Sequence, residues 1–305
     1  MKIVQTFWTC NVVDLADLKT FRSAWLTTNH HYMSWALSCL RLREYYDEVE
    51  LVTDSLGKEL LIDELKLPYT SVKVVLDDIN GYPWQFWAIA KLISYSLQDK
   101  PFIHIDGDIF ISKPFTESLE KAAIISQNLE VNFDCYHSAM KAIIKTQNYL
   151  PTEIKDYLSQ TNHILASNMG IFGGNNIDFI KQFSKEALHF AQEYFTYASD
   201  KDFQFFNCVF EQFLLICMAQ KAKIDIDYFT KDTEQFSDYK PISQFNKMGS
   251  NDLNYVHLVG SFKRQLSKCN TLSSVLKKEY PEYHRRVNQI LGEKTKLQYF
   301  MAQFR

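Results

Sequence analysis

Short apolar segments alternate with longer amphipathic segments over the first third of the chain. The short segments are rich in β-branched residues and have the length of buried strands; they cover 3–7, 49–53, 72–76 and 102–105. The longer segments between them have the apolar spacing of helices; they cover 33–46, 55–66 and 84–97. Strands that alternate with helices at this spacing predict an α/β fold with a mostly parallel, Rossmann-type central sheet flanked by helices.

The remainder of the chain has a less regular pattern. Further strands are predicted at 122–126, 168–172 and 255–258, and further helices at 131–149, 152–159, 177–197 and 203–220. Residues 229–252 are polar and irregular, and 271–291 form a basic amphipathic helix. Neither an internal repeat nor a low-complexity linker is present, so we expect one composite domain at 1–265 with a helical extension at 266–305 packed on it.

The strongest chemical signal is a pair of aspartates that directly follows a predicted strand. Phe102–Ile105 leads into Asp106 and Asp108, and the small Gly107 between them allows both carboxylates to turn toward one point. Two hard oxygen ligands suit Mg²⁺ or Mn²⁺ bound to a phosphate-bearing substrate. The alternative is a turn at the strand end, in which an aspartate caps backbone donors.

Asp-x-Asp alone is a weak motif, and the chain contains two more such pairs. Asp200 and Asp202 lie in a polar stretch that predicts a solvated loop, and the pair at 225 and 227 alternates with isoleucines as on the wet face of an edge strand. Only the first pair lies between two apolar strands. Asp54 also follows a strand, and because ligands of open α/β sheets bind beyond the carboxyl ends of strands, we expect Asp54 to bind the cofactor.

Composition and charge narrow the classes of partner. The chain has 305 residues, a net charge of −3 and no long basic run, so we expect no nucleic-acid partner. It has neither the charged and apolar regions of a signal peptide nor an apolar window long enough to span a membrane. Its six cysteines include no C-x-x-C pair, which predicts reduced thiols in a cytoplasmic protein.

Three further segments resemble glycosyltransferases of the GT-A type. The segment 88–95, which contains Lys91, resembles the helix of family-eight transferases whose basic residue reaches the donor. The segment 168–174, Asn-Met-Gly-Ile-Phe-Gly-Gly, resembles the IFGG strand of blood-group-type transferases. The segment 257–263 matches the family-eight pattern His-x-x-Gly-x-x-Lys, and 35–115 also resembles a bacterial family of transferase-like proteins that is largely uncharacterised.

The resemblance implies a GT-A fold and a metal-dependent transfer of a sugar from a nucleotide-diphosphate donor, expected to be a UDP-sugar. Asp106, Asp108 and His257 would hold Mn²⁺ or Mg²⁺, and Lys91 and Lys263 would contact the donor. The glycines expected to lie against the donor are Gly173, Gly174 and Gly260. Each of these residues also has an ordinary structural interpretation. His257 could be a core histidine, Lys263 a surface lysine and Lys91 a rim lysine whose ammonium reaches solvent. The two glycines at 173 and 174 could form only a turn before the next helix.

Glu211 interrupts an otherwise apolar helix, where an acid is costly unless it is used or paired. Its place after the IFGG strand resembles that of the acid beneath the donor sugar in retaining transferases, which implies a nucleophile or a stabiliser of an oxocarbenium-like centre. We expect Glu211, together with Asn168, to be catalytic and the transfer to proceed with retention. The alternative is a glutamate on the helix surface.

Two other functions stay open at this point. Arg264 and Gln265 stand where family eight continues with Pro-Trp, so the chain could be a GT-A-derived protein that binds a nucleotide sugar or assembles without turnover. A nucleotidyltransferase would share the sheet and the paired acids, but residues 3–15 lack the glycine-rich phosphate loop expected of it. The acceptor stays open among glycan, peptide, lipid and small molecule.

Overall fold

A computed structural model describes residues 1–10, 12–79, 81–197, 201–203, 205–230, 239–249 and 254–292. The nine strands of this described part are β1 (Lys2–Phe7), β2 (Val49–Thr53), β3 (Ser71–Val74), β4 (Phe102–Ile105), β5 (Ile109–Ile111), β6 (Ile124–Val131), β7 (Leu165–Gly174), β8 (Ile226–Tyr228) and β9 (Tyr255–His257). Seven of them form the central sheet in the order β3-β2-β1-β4-β7-β6-β8, and β5 pairs with β9 separately.

The α-helices of the described part are α1 (Leu15–Leu18), α2 (Thr28–Tyr45), α3 (Ser55–Lys58), α4 (Ala88–Ser96), α5 (Glu117–Glu120), α6 (Asp134–Thr146), α7 (Thr152–Gln160), α8 (Ile177–Glu193), α9 (Leu214–Ala222), α10 (Leu266–Glu279) and α11 (Pro281–Leu291). Two π-helical segments, Glu59–Glu64 and Cys208–Phe213, continue into or out of regular helices. The fold is therefore α/β, as predicted, with a mostly parallel sheet and a helical C-terminal segment. Among the described residues, none of the helices has the length and apolar character needed to cross a membrane.

Contacts divide the chain into two compact units. The first comprises 1–11, 78–105 and 115–237, and the second comprises 12–77, 106–114 and 238–305. The first unit contains β4, whose apolar side chains are fully buried, and β7, which runs antiparallel to both β4 and β6. The second unit contains the β5–β9 pair together with α2, α10 and α11.

Several predicted boundaries differ from those of the structure. The strand predicted at 122–126 is Ile124–Val131, so it includes the residue at which a helix was expected to begin. The helix predicted at 203–220 is a π-helical segment followed by α9. The terminal helix predicted at 271–291 is two helices, because Pro281 cannot continue the ladder of α10 and instead starts α11. Asp200 and residues 293–305 of the predicted extension lie outside the described residues.

Candidate metal centre and buried ion pair

The turn between β4 and β5 holds the two aspartates. The amide of Ile109 donates to the carbonyl of Asp106 at 3.1 Å, and the hydroxyl of Ser34 on α2 donates to the carbonyl of Gly107 at 2.6 Å. A Cβ atom at Gly107 would lie 2.6 Å from the indole of Trp35. Real Cβ contacts are not that short, so this position requires glycine for the turn to rest on the tryptophan.

The β5–β9 pair brings His257 to this turn. The strands are antiparallel with Ile109 opposite His257, and the amide of Leu258 donates to the carbonyl of Asp108 at 3.1 Å. One ligand atom each from Asp106, Asp108 and His257 lies within 4.8 Å of the others. The prediction that His257 lies beside both carboxylates, far from it in sequence, is confirmed.

Lys263 places a positive charge beside the carboxylate of Asp108. Gly260 has a φ of 54° and starts the 3-10 helix Gly260–Arg264, which carries Lys263 to within 2.5 Å, Nζ to Oδ2, of Asp108. The Nε2 atom of His257 lies 3.4 Å from Oδ1 of the same carboxylate. Burial raises the pKa of Asp108, but its interactions with Lys263 and, secondly, with His257 outweigh the effect of burial and hold that pKa well below its usual range.

The donor set fits a divalent cation. Asp108 is only 8 % exposed, yet its Oδ1 atom is buried without a hydrogen-bond partner among the described residues. A buried carboxylate oxygen in that state is costly unless it binds a ligand. Two carboxylates and one imidazole match the oxygen and nitrogen ligands of Mn²⁺, and the two carboxylates alone would suit Mg²⁺.

Residues of α2 support the cluster in a way that the sequence analysis did not anticipate. Trp35 lies beneath Gly107, and its indole nitrogen donates to Nε2 of His31 at 3.2 Å. Burial, with a smaller contribution from the charge of Lys263, lowers the pKa of His31 to about 4 against the opposing effects of the Phe21 carbonyl and Asp108. His31 is therefore neutral and can accept the indole hydrogen bond. The only sequence signal for this role is the concentration of aromatic and polar residues at the start of α2.

Lys91 and Glu211 form a second charged cluster, in the first unit. Nζ of Lys91 lies 2.9 Å from Oε1 of Glu211, donates to the carbonyl of Met169 at 3.0 Å and lies 5.4 Å from the ring centroid of Trp87. The side chains are 8 % and 0 % exposed, so neither a rim lysine nor a surface glutamate describes them. Tyr95 donates to Oε1 of Glu211 at 3.4 Å. Pairing therefore accounts for the acid within this apolar helix.

Asn168 belongs to a neighbouring polar network. Its side-chain amide donates to Glu130 at 3.0 Å, and its Oδ1 atom accepts from the amide of Gly170 at 3.0 Å. The hydroxyl of Tyr136 contacts both Glu130 and Gln212. Sequence reasoning missed Glu130, Tyr136 and Gln212, because residues so far apart along the chain carry no shared motif.

Gly173 and Gly174 do not hold a ligand-binding loop, which corrects the expectation for them. They lie in β7 opposite Ile103 and Phe102, at the amino end of β4, whereas ligands of such sheets bind beyond the carboxyl ends. Their φ angles are 158° and 134°, and a Cβ atom would lie 2.0 Å from the Phe102 carbonyl or 2.2 Å from the Ala123 carbonyl. The close approach of neighbouring backbone is the physical reason for both glycines.

Asp54, which was expected to bind the cofactor, caps a helix in the structure. It caps α3, and its Oδ1 atom accepts from the amide of Gly57 at 2.8 Å. The capping interaction also matches the sequence pattern at the start of this helix. Asp54 is 2 % exposed and lies in the same unit as the Asp106 cluster, but it is not among the grouped metal-ligand atoms of the described residues.

A comparison with protein families identifies the family of this chain but no activity. No curated protein matches the chain. Residues 1–290 match the family of unknown function DUF6734, and the chain belongs to that family.

Proposed function

We propose that this protein is a metal-dependent glycosyltransferase that takes a sugar from a nucleotide-diphosphate donor, with a UDP-sugar as the first candidate. The observation that carries the proposal is the meeting of Asp106, Asp108 and His257 with Lys263 next to them, in the order and spacing that resemble GT-A transferases. The α/β fold agrees with that resemblance. The cytoplasmic location that we also propose is supported by six free cysteines.

The residues of the cluster have separate roles in this proposal. Asp106, Asp108 and His257 would hold Mn²⁺ or Mg²⁺, and the bound cation would supply positive charge beside the leaving diphosphate. Lys263 neutralises Asp108 at 2.5 Å in the structure, and it would turn its ammonium to a phosphate oxygen when the donor binds. Trp35 and Gly107 would keep the two carboxylates aimed at one point.

Retention of the donor's anomeric configuration remains part of the proposal, with Glu211 and Asn168 as its candidate catalytic residues. A carboxylate on the face opposite the leaving group would attack or shield that face, so that the acceptor enters from the leaving-group side. NMR of the product linkage decides this part. An inverted product would remove the retaining role of Glu211.

A second candidate is a nucleotide-sugar-binding or assembly protein without turnover. The observation that favours it is the state of Glu211, which is 0 % exposed and already paired with Lys91 at 2.9 Å. An acid in that state does not present a nucleophile. A nucleotidyltransferase has no comparable observation in its favour.

One experiment separates the two candidates. Purified protein is incubated with UDP-glucose, UDP-galactose or their N-acetyl derivatives and Mn²⁺, and free UDP is measured over time together with binding by calorimetry. Release of UDP that stops on chelation of the metal supports a transferase, because many transferases hydrolyse their donor slowly without acceptor. Metal-dependent binding without release supports the second candidate, and the absence of binding to any nucleotide sugar contradicts both.

A further inference from the structure

Three hydroxyl groups of α2 donate hydrogen bonds to backbone carbonyls of the segment that carries the two aspartates of the candidate metal centre. This hydroxyl row comprises Ser34, Ser38 and Tyr45, which donate at 2.6, 2.7 and 2.7 Å to the carbonyls of Gly107, Ile109 and Ser112 in that order. Both serines are fully buried. All of these residues lie in the second unit, and the row follows the segment from the turn before β5 to the residue after it.

The spacing of the row fits the dimensions of both elements. Residues 34, 38 and 45 follow one another at intervals of four and seven, which places them on one face of a helix. Seven residues of helix advance about 10 Å, and the three strand residues from Ile109 to Ser112 also advance about 10 Å. Each hydroxyl can therefore lie opposite its own carbonyl while α2 runs beside β5.

The two serines hold the edge of β5 that faces away from β9. The carbonyl of Asp108 accepts from the amide of Leu258 on the side of β9. Successive carbonyls of a strand point to opposite edges, so those of Gly107 and Ile109 point to the other edge. These are the two carbonyls that the serines bind.

This support matters because the sheet that contains β5 is very small. β5 and β9 have three residues each, and among the described strands they pair only with each other. A two-stranded sheet of this kind is at best marginally stable alone, and an edge strand leaves carbonyls without donors from a neighbouring strand. The hydroxyl row thus takes the place of a third strand.

Each serine fixes a residue next to a candidate metal ligand. Gly107, which Ser34 holds, lies between the two aspartates in the chain, and Ile109, which Ser38 holds, lies opposite His257 in the strand pair. We propose that the hydroxyl row positions these three ligands so that one cation can bind all of them. The serines would be positioning residues that act through the carbonyls they hold. This inference rests on the proposed cation site and is independent of sugar transfer.

The first test is a Mn²⁺ titration of the full chain, followed by electron paramagnetic resonance. Ser34→Ala and Ser38→Ala should each bind Mn²⁺ at least about 10-fold more weakly than the wild-type chain, as expected when a group that orients metal ligands is lost. Ser184→Ala is the matched control, because Ser184 is equally buried but donates to the Ile180 carbonyl of its own helix at 2.8 Å. All three variants should lose thermal stability, and only the first two should lose Mn²⁺ affinity.

A second measurement needs no metal. The amide of Leu258 donates to the carbonyl of Asp108 at 3.1 Å and so reports the pairing of the two strands. Its hydrogen exchange should be several-fold faster in Ser38→Ala than in the wild-type chain or in Ser184→Ala, because the strand pair opens more often without its outer support.

A milder pair of variants keeps the test available if a serine variant fails to fold. Tyr45→Phe removes only the third hydroxyl of the row and should weaken Mn²⁺ binding a few-fold. Tyr32→Phe removes a hydroxyl of the same helix that donates to the carbonyl of Leu18 at 2.8 Å, and it should bind Mn²⁺ as the wild-type chain does.

The outcomes separate this inference from the cation site on which it rests. Wild-type Mn²⁺ affinity in both serine variants, or an equal fall of affinity in Ser184→Ala, would overturn the positioning role and leave the cation site intact. If the serine variants do not fold, wild-type affinity in Tyr45→Phe would overturn it in the same way. Absence of Mn²⁺ binding by the wild-type chain would overturn both.

Discussion

The Asp108 cluster and the Glu211 cluster each join a carboxylate to a lysine, yet they differ in the other groups that lie beside that carboxylate. Glu211 is fully buried, and Lys91 and Tyr95 both contact its Oε1 atom. Asp108 meets Lys263 through Oδ2, and one ligand atom each of Asp106 and His257 lies within 4.8 Å of a carboxylate oxygen of Asp108. A carboxylate beside a lysine and a tyrosine indicates a structural ion pair, whereas a carboxylate grouped with two further ligand atoms indicates a metal site.

The largest effect that tests this comparison is expected at Glu211. Glu211→Gln should lower the free energy of unfolding by about 3–5 kcal/mol, because it leaves the ammonium of Lys91 buried without its counter-charge. Denaturant unfolding measures this, and the double variant Lys91→Met, Glu211→Leu should recover most of the loss. Glu193→Gln, at a glutamate 45 % exposed, is the control. A Glu211→Gln protein with unchanged stability but no nucleotide release would instead assign Glu211 to catalysis.

Gly107→Ala should destabilise the protein by about 1–3 kcal/mol and weaken Mn²⁺ binding, because the new methyl group would displace the Trp35 indole that supports the turn. Thermal unfolding and Mn²⁺ calorimetry measure the two effects. Gly81→Ala is the matched control, since no atom of the described residues, its two chain neighbours apart, lies within 4 Å of the added Cβ at that position. Equal behaviour of the two variants would show that Trp35 does not support the site.

Lys263→Met should move two affinities in opposite directions. Mn²⁺ alone should bind several-fold more tightly because the ammonium no longer competes for Asp108, whereas UDP in the presence of Mn²⁺ should bind about 10-fold more weakly because a phosphate partner is lost. Calorimetry measures both. Arg264→Met, one residue along the same 3-10 helix, should change neither affinity. A parallel fall of both affinities at Lys263→Met would indicate a purely structural lysine.

The smallest effect concerns two histidines, one near each cluster. Burial lowers the pKa of His31 to about 4, and burial together with the charge of Lys91 lowers that of His104 well below its usual value. Both are neutral when folded, so the unfolded chain binds more protons below pH 6.5 and stability falls as the pH falls from about 6.5 toward the folded pKa.

We expect each of these histidines to contribute about 1 kcal/mol to the loss of unfolding free energy between pH 7 and pH 5.5. Denaturant unfolding at the two pH values measures it, with His31→Gln and His104→Gln each reducing the loss. A stability that does not change over this range would contradict neutral burial of both rings.

Much of the fold could be predicted from the local sequence, and the reasons for the exceptions are specific. The length of the apolar segments was enough to predict the strands β1, β2 and β4, because these short segments are almost entirely buried in the structure. The direction of β7 could not be predicted, since strand direction depends on pairing that no local pattern encodes. The π-helical segment at 208–213 was likewise invisible, because its apolar residues fit a regular helix equally well.

Some residues of the candidate site could be predicted from the sequence and others could not, again because a local pattern does not encode contacts between distant residues. The aspartate pair follows its strand locally, and the His-x-x-Gly-x-x-Lys resemblance supplied His257 and Lys263; the register of Ile109 with His257 then brings them together. Physical reasoning predicted that Glu211 must be used or paired, but not that Lys91 is its partner. Trp35 was missed because the need for glycine at 107 is apparent only once the indole is in place.

A Mn²⁺ titration followed by electron paramagnetic resonance shows whether Asp106, Asp108 and His257 bind a divalent cation. We predict one bound Mn²⁺ per chain, with affinity lowered at least about 100-fold in Asp108→Asn, since even residues outside the ligand shell of a metal contribute about 10–100-fold. Asp227→Asn, in another Asp-x-Asp pair of the chain, should bind Mn²⁺ as the unmodified protein does. Undiminished Mn²⁺ binding by Asp108→Asn, or no binding by the wild-type chain, would show that these three residues do not form a cation site.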